Sequence, residues 1–348
     1  MKILIISPTQ SGIGGIAQHV QGLTKFLQNK DHKVEIISSE NTFTIPIKGL
    51  KNPSFMLSSF LKTKFKKNQD IVHAHNIPSA LAMKNTAGKK VLSLHGVFSQ
   101  QIYQLHGKTT SNMSEKYENN ALKWADAITV ISKEAFDHYT NLGYTVFQVP
   151  NAIDVASLEM NEDKRYQKQV IFAGRLSNEK GIDSLISIAQ QLSDDIHLII
   201  LGAGPEEQKI KDLTKTYKNI HFLGYQNKKE TISLIRGSDL LIQPSLQEGI
   251  SSTLLEAMAC KTAIITSNVG GNTELIQNNV NGIILDPKDI DSFTKQILYL
   301  LNNEQSRQSL VENAFKTVKK YDWNQIGNLY LDIYKSVLDK KFRKIPKM

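Results

Sequence analysis

Two doubly wound α/β domains are the fold class this sequence predicts, and three observations predict it. Short apolar runs alternate with longer helical patterns from end to end, the order that builds parallel sheets with helices on both faces. The alternation restarts after Val149-Pro150-Asn151. The chain has 348 residues, more than one core comfortably fills. A first Rossmann-like domain is expected over 1–150 and a second over 151–322, facing each other across a cleft. Ligands of open α/β sheets bind beyond the carboxyl ends of the strands, so that cleft is the expected site.

Taken in order, the runs at 3–7, 33–38, 71–74, 91–94 and 127–131 read as buried parallel strands, with helical spacing between them at 16–29 and 116–125. Residues 153–168 are polar and weakly patterned, as a linker would be. A second strand series follows at 170–173, 197–201, 220–222, 240–243, 263–266 and 282–285. The helical pattern at 323–338 has no strand after it, which makes it a candidate to cross back to the first domain.

Composition narrows the function classes. Hydrophobic content of 40% and charged content of 22% are ordinary for a globular protein. A single cysteine, Cys260, excludes an intramolecular disulfide and fits a reducing, cytoplasmic compartment. The run 3–6 behind Lys2 is too short for a signal peptide and reads as the first core strand. No stretch approaches the roughly 18 apolar residues that a membrane span needs. The net charge of +9 favours an anionic partner. Lysines crowd two segments, Lys62 to Lys67 and Lys340 to Lys347, and no nucleic-acid-binding module accompanies them, so nucleic acid is not expected.

The densest chemistry lies in Glu248-Gly249-Ile250-Ser251-Ser252-Thr253-Leu254-Leu255-Glu256. The apolar run before it ends in a proline turn at Pro244, and the run after it has helical spacing, with Ser251 or Ser252 as N-cap. A strand, a turn and a helix N-terminus make an anion site. Glu248 belongs to the loop and Glu256 is expected about two turns into the helix. An anion flanked by two hydroxyl-accepting carboxylates describes a nucleotide sugar. Gly174-Arg175-Leu176-Ser177-Asn178-Glu179-Lys180-Gly181 follows a strand and offers two cations to a diphosphate, Arg175 as a fork and Lys180 as a point charge. The competing reading is a surface loop with an Arg–Glu pair.

Other motifs have plainer alternatives. His95-Gly96 closes a strand and is placed to meet a substrate hydroxyl or a proton; a structural histidine is the alternative. His73 and His75 share one face of a strand, but no carboxylate or cysteine completes a metal set, so packing is the preferred reading. Asp289-Ile290-Asp291 has the form of a metal-binding D-x-D, yet it opens a helix, where acidic residues suit the dipole. Cys260 reads as a small buried hydrophobe. Gly12-Ile13-Gly14-Gly15-Ile16-Ala17 also fits a dinucleotide fingerprint, with Glu40 as its late acidic residue.

Together these residues resemble the family 4 glycosyltransferases of the GT-B fold over nearly the whole chain. The matching strings are Gly14-Gly15 ending in His19-Val20, Asp70-Ile71-Val72-His73-Ala74-His75-Asn76, Val149-Pro150-Asn151, Gly174-Arg175-Leu176 with Lys180-Gly181, and Glu248-x7-Glu256 followed by Gly270-Gly271. The resemblance implies that Arg175 and Lys180 hold the donor diphosphate and that Glu256 binds the ribose. It also implies that Glu248 contacts the transferred sugar near the backbone of Gly249, Ile250, Ser251 and Ser252, that Gly14 and Gly15 approach the diphosphate, and that His95 contacts the sugar. It further implies retention of anomeric configuration with no metal or other cofactor. The sequence departs from the family pattern at Ile250-Ser251-Ser252, at Lys261, where glycine is common, and at Ala263, where proline is common; Ser251-Ser252 resembles members that assemble bacterial polysaccharide.

The expected partners are a nucleotide sugar donor and a glycan or lipid-linked acceptor, with acceptor contacts in loops such as 97–113. The basic, apolar segment 55–67 is a candidate for an anionic membrane face. The alternatives are an NAD(P)-dependent oxidoreductase and a non-catalytic sugar- or nucleotide-binding partner subunit.

Overall fold

The computed structural model describes residues 1–10, 15–47, 49–97, 108–158 and 161–339, with backbone alone for 108–114. It divides into two units, Met1–Ala152 with Trp323–Met348, and Ile153–Asp322.

In the first unit six parallel strands are ordered β2-β1-β3-β4-β5-β6: β1 (Lys2–Ser7), β2 (Lys33–Ser38), β3 (Ile71–His75), β4 (Lys89–Leu94), β5 (Ala127–Val130) and β6 (Val146–Gln148). The helices are α1 (Gly15–Asn29), α2 (Lys51–Thr63), α3 (Ile77–Lys84), α4 (Lys108–Lys123) and α5 (Lys133–Asn141). β1 is apolar on both faces, with Ile3, Leu4, Ile5 and Ile6 fully buried, because helices cover the sheet on both sides. Each such side chain contributes roughly 1.5–3 kcal/mol of burial, set against the entropy of ordering it. The strand order reverses between β1 and β3, so the carboxyl end of β3, at His75, lies at the switch point. β6 and the first two turns of α4 are absent from the periodicity: β6 is a three-residue edge strand with no fully buried side chain.

The second unit repeats the plan, β12-β11-β10-β7-β8-β9, from β7 (Lys168–Ala173), β8 (Ile196–Leu201), β9 (Ile220–Gly224), β10 (Leu240–Gln243), β11 (Ala263–Ser267) and β12 (Ile283–Leu285). Its helices are α6 (Ile182–Gln191), α7 (Glu207–Thr216), α8 (Lys228–Arg236), α9 (Ser252–Cys260), α10 (Asn272–Leu275), α11 (Ile290–Asn302) and α12 (Glu304–Val318). β10 pairs with β7 through Leu240↔Val170 and Leu241↔Ile171. The order reverses there, so the loops after Ala173 and Gln243 emerge side by side.

The last helix, α13 (Trp323–Leu338), belongs to the first unit. It buries Trp323, Ile326, Tyr330, Ile333, Tyr334 and Val337, one helical face, in a cluster with Val20, Leu23 and Phe26 of α1. Two glycines allow the close approach. A Cβ on Gly22 would lie 2.2 Å from the Trp323 indole, and one on Gly327 would lie 2.4 Å from the Phe26 ring. A Gly→Ala exchange inside a helix ordinarily stabilises by about 1 kcal/mol, whereas overpacking costs about 1–3 kcal/mol. Gly22→Ala and Gly327→Ala are therefore expected to lower the urea midpoint. A raised midpoint in both would show that α1 and α13 do not pack this closely.

Candidate active site

In the second unit the loop after β7 carries Gly174-Arg175-Leu176-Ser177, a 3-10 turn over Asn178–Lys180, and Gly181 at φ +69°. A Cβ on Gly181 would lie 1.8 Å from the Pro244 carbonyl oxygen, so only glycine lets the loops after β7 and β10 meet. The backbone amides of Leu246 and Gln247 donate to the Glu179 carbonyl at 2.9 and 3.1 Å, fixing the same contact.

That contact sets Lys180 against Glu248. The Lys180 Nζ lies 2.5 Å from Glu248 Oε1, which also accepts from Ser245 Oγ at 2.9 Å and from Gln243 Nε2. All three contacts fall on Oε1, and Oε2 takes no hydrogen bond from a described residue. The Glu248 side chain is 6% exposed and Lys180 22%, so the pair is largely removed from water yet fully hydrogen-bonded on one oxygen. The Glu248 backbone is gripped from behind: Gly271 N donates to its carbonyl at 3.2 Å, and a Cβ on Gly270 (φ +44°) would lie 1.9 Å from that oxygen.

Ser251 is the N-cap of α9, its Oγ accepting from Leu254 N at 3.4 Å and donating to Gln243 Oε1 at 3.2 Å. Gly249, Ile250 and Ser252 form the turn into this helix, whose first amides have no intrahelical acceptor. Glu256 is the fifth residue of α9, just over one turn in rather than two, because the helix starts at Ser252 and not upstream. Its Oε1 is ion-paired with Lys228 Nζ at the start of α8, and its side chain is 7% exposed.

The expected donor residues are thus not all joined in one network. Lys180, Glu248 and Ser251 come together through Gln243 and Ser245. Arg175 stands on the same loop with its side chain 67% exposed, 3.9 Å from Glu179. Glu256 keeps its own partner. Gly15 is the first residue of α1, while Gly14 and most of the acceptor loop lie outside the described residues. Sequence reading missed Gln243, Ser245 and Lys228; the placement of Gln243 as the last residue of a buried strand was the available signal.

In the first unit His95 is one of four clustered histidines. His73 and His75 alternate onto one face of β3, with ring centroids 4.2 Å apart. His75 Nδ1 lies 3.5 Å from His95 Nε2, and the His19 ring centroid lies 5.3 Å from that of His95. His73 is bonded on both nitrogens, to Tyr334 Oη at 2.7 Å and Ser93 Oγ at 2.6 Å, and His19 Nε2 meets Tyr330 Oη at 2.9 Å. His19 Nδ1 and His75 Nε2 are buried with no described partner. Burial pushes the His95 imidazole down to about 4, and burial followed by the charge of His95 pushes His73 down to about 3. His19 and His75 are driven well below the ordinary value of 6.5, by burial first. All four are therefore neutral near pH 7 and offer hydrogen bonds rather than charge.

Among the described residues no three His, Cys, Asp or Glu side chains are grouped to hold a metal. Asp289 of the D-x-D string caps α11, its Oδ1 accepting from Ser292 N at 3.1 Å. Cys260 is buried, and burial, then the charge of Glu256, pushes its thiol up to about 12.

Comparison with known proteins bears on this geometry. Residues 13–157 match the family model "Glycosyltransferase Family 4", and residues 157–317 match "Glycosyl transferases group 1". Phosphatidyl-myo-inositol mannosyltransferase of Mycolicibacterium smegmatis is 24% identical over 97% of this chain and 94% of its own length. Among solved structures, sucrose-phosphate synthase from Thermosynechococcus elongatus superposes with a TM-score of 0.81 at 17% identity, over 98% of this chain and 100% of that one. Anabaena HepE in complex with UDP gives 0.74 at 17% identity, over 97% and 100%.

The histidine cluster has a pH consequence. Unfolded, these imidazoles take a proton near 6.5; folded, His95 resists it down to about 4 and His73 down to about 3. The unfolded chain binds more protons in that interval, so the cluster's stabilisation is complete above 6.5 and is lost as pH falls, by about 1.4 kcal/mol per pH unit per histidine. Urea unfolding between pH 6 and pH 4.5 should show His95→Asn with a shallower loss than wild type, by about one proton. Parallel slopes would mean that His95 is free to protonate in the folded state.

Proposed function

The chain belongs to the family 4 glycosyltransferases, and from that premise we propose that it moves a hexosyl group from a nucleoside diphosphate sugar to a glycan or lipid-linked acceptor. Transfer retains anomeric configuration and needs no metal. The observation that carries this reading is the split use of the Glu248 carboxylate. Oε1 is saturated by Lys180, Gln243 and Ser245, while Oε2 remains an acceptor for sugar hydroxyls. Lys180 has three ammonium hydrogens and gives one to Glu248, leaving donors for a phosphate oxygen. Glu256 is arranged the same way, Oε1 on Lys228 and Oε2 open to ribose hydroxyls.

Catalysis then rests on charge stabilisation of the departing diphosphate by Lys180, Arg175 and the free amides at the start of α9. The acceptor attacks from the face the diphosphate leaves, and the phosphate oxygen takes the acceptor proton. His95, neutral, hydrogen-bonds a sugar hydroxyl. The UDP carried by HepE supports a nucleotide donor, and the phosphatidyl-myo-inositol mannosyltransferase relative supports a lipid-borne acceptor. Family membership displaces the dinucleotide oxidoreductase reading. Cell-surface polysaccharide assembly on the inner face of a bacterial membrane is the context proposed.

The first test is a thermal-shift panel of UDP, GDP, ADP, their sugars and NADH, then turnover with the best donor. Glu248→Ala is expected to lower Tm, and at a temperature where circular dichroism shows it still folded it should cut kcat by about 10²–10³-fold; full turnover in that variant removes the assigned role, and stabilisation by NADH alone removes the donor class.

Membrane association is proposed from α2. Its buried stripe is Phe55, Ser59 and Thr63, so Leu57 (60% exposed) and Leu61 (49%) point outward near Phe65 (85%). Lys66 is paired with Glu35 and Lys62 donates to Asn41 O at 2.6 Å, whereas Lys64 meets no carboxylate of a described residue and lies 5.3 Å from the Phe60 ring centre. Among the described residues no helix is long and apolar enough to cross a membrane. Co-sedimentation with phosphatidylglycerol vesicles at low salt should be strong for wild type and about tenfold weaker for Leu57→Glu/Leu61→Glu. Equal binding by the two would place the contact elsewhere.

A further inference from the structure

At the amino ends of β7, β10 and β11, opposite the donor residues of the second unit, lies a cavity of about 140 Å³ lined by Glu162, Lys164, Arg236, Asp239, Lys261 and Arg307 among others. It has room for a phosphoryl group and several waters. Four of those six side chains are cations and two are carboxylates. Asp239 is fully used: Oδ1 takes Lys164 Nζ at 2.8 Å and lies 3.8 Å from Arg307, and Oδ2 takes the backbone amide of Gln169 at 2.9 Å. Arg307 also donates to the Leu300 carbonyl at 2.7 Å.

Arg236, Lys261 and Glu162 are left over, two cations against one carboxylate. Arg236 ends α8 half-buried, with no hydrogen bond or ion pair to a described residue. A guanidinium partly withdrawn from water normally finds an acceptor. Lys261 follows α9 at φ +59°, a left-handed conformation that favours glycine, and its exposed side chain sets the ammonium 4.9 Å from the Phe315 ring centre, with no ion pair to a described residue. The chain thus accepts backbone strain to set a lysine at this rim. The wall is close-packed: a Cβ on Gly237 would lie 2.3 Å from the Asp163 carbonyl, and Asp163 N donates to Ser233 O at 2.9 Å.

We propose that this cavity is a second anion site, taking a phosphate monoester or other phosphoryl group between Arg236 and Lys261, separate from the donor. The guanidinium supplies a two-pronged contact and the ammonium a mobile point charge. The phosphoryl group belongs either to a small soluble metabolite or to a lipid headgroup.

Inorganic phosphate at constant ionic strength is the probe. Phosphate should raise Tm saturably by about 2–4 °C in wild type and equally in Lys180→Ala, which disables the donor clamp. The shift should vanish in Arg236→Gln and in Lys261→Gly, the latter relieving backbone strain and so keeping the fold. Phosphatidylglycerol vesicles form the second arm: binding that is lost in Arg236→Gln and Lys261→Gly, with no phosphate shift, assigns the headgroup as the source. A phosphate shift lost in Lys180→Ala but kept in Arg236→Gln places the anion at the donor clamp and overturns the proposal. No phosphate shift in wild type, with vesicle binding either absent or kept in Arg236→Gln and Lys261→Gly, overturns it equally, since vesicle binding of that kind belongs to α2. Neither result touches the donor chemistry, which is read from nucleotide binding and turnover.

Discussion

The Lys180–Glu248 pair is the interaction on which the second unit's chemistry depends. A carboxylate at 6% exposure must be matched by donors or it will not stay ionised and folded. Three segments supply them, the loop after β7, the end of β10 and the turn at Ser245. They can do so only because Gly181 and Gly270 let backbones approach closer than any Cβ allows. Removing one member of so buried a pair typically costs about 3–5 kcal/mol, because the other charge is stranded. The pair is therefore a structural bolt of the second unit, and Oε2 is left open because Oε1 carries that duty alone.

Much of this was legible in the sequence, for physical reasons. Apolar runs mark all six strands of the second unit and five of the first, even where an edge strand such as β9 or β12 is only partly buried. β6 is the exception, three residues of which two are apolar and none is fully buried. The Glu248 and Lys180 strings were legible because anion chemistry at a helix N-terminus is local. What joins them is not: Lys180 and Glu248 are 68 positions apart, and Lys228 and Glu256 are 28 apart. His73 read as a packing residue, but its partner Tyr334 comes from a helix 261 positions away. No local pattern could name it. The basic cavity gave a single sign, Lys261 in place of glycine, which only the backbone angle turned into an observation.

The two units use one topology for opposite electrostatics. At the switch point of the first sheet, burial holds four imidazoles neutral, and two of their nitrogens face no described partner. Neutral imidazoles offer hydrogen bonds there rather than charge. At the switch point of the second sheet, Glu248 and Glu256 are each ion-paired through Oε1. The same topology thus carries buried, neutral imidazoles in one unit and ion-paired carboxylates in the other.

α9 ties the second unit's two charged ends into one body. Nine residues rise about 13 Å, with Ser251 capping the front beside Gln243 and Lys261 closing the rear beside the basic cavity. Seven of the nine are buried, so the helix has no soft face along which to bend, and a close-packed element moves as a unit or not at all. The Lys261 side chain, long and exposed, follows an anion without moving the helix. An anion held at the rear, as proposed above, would therefore reach the donor end only by displacing the α9 backbone, which its packing resists.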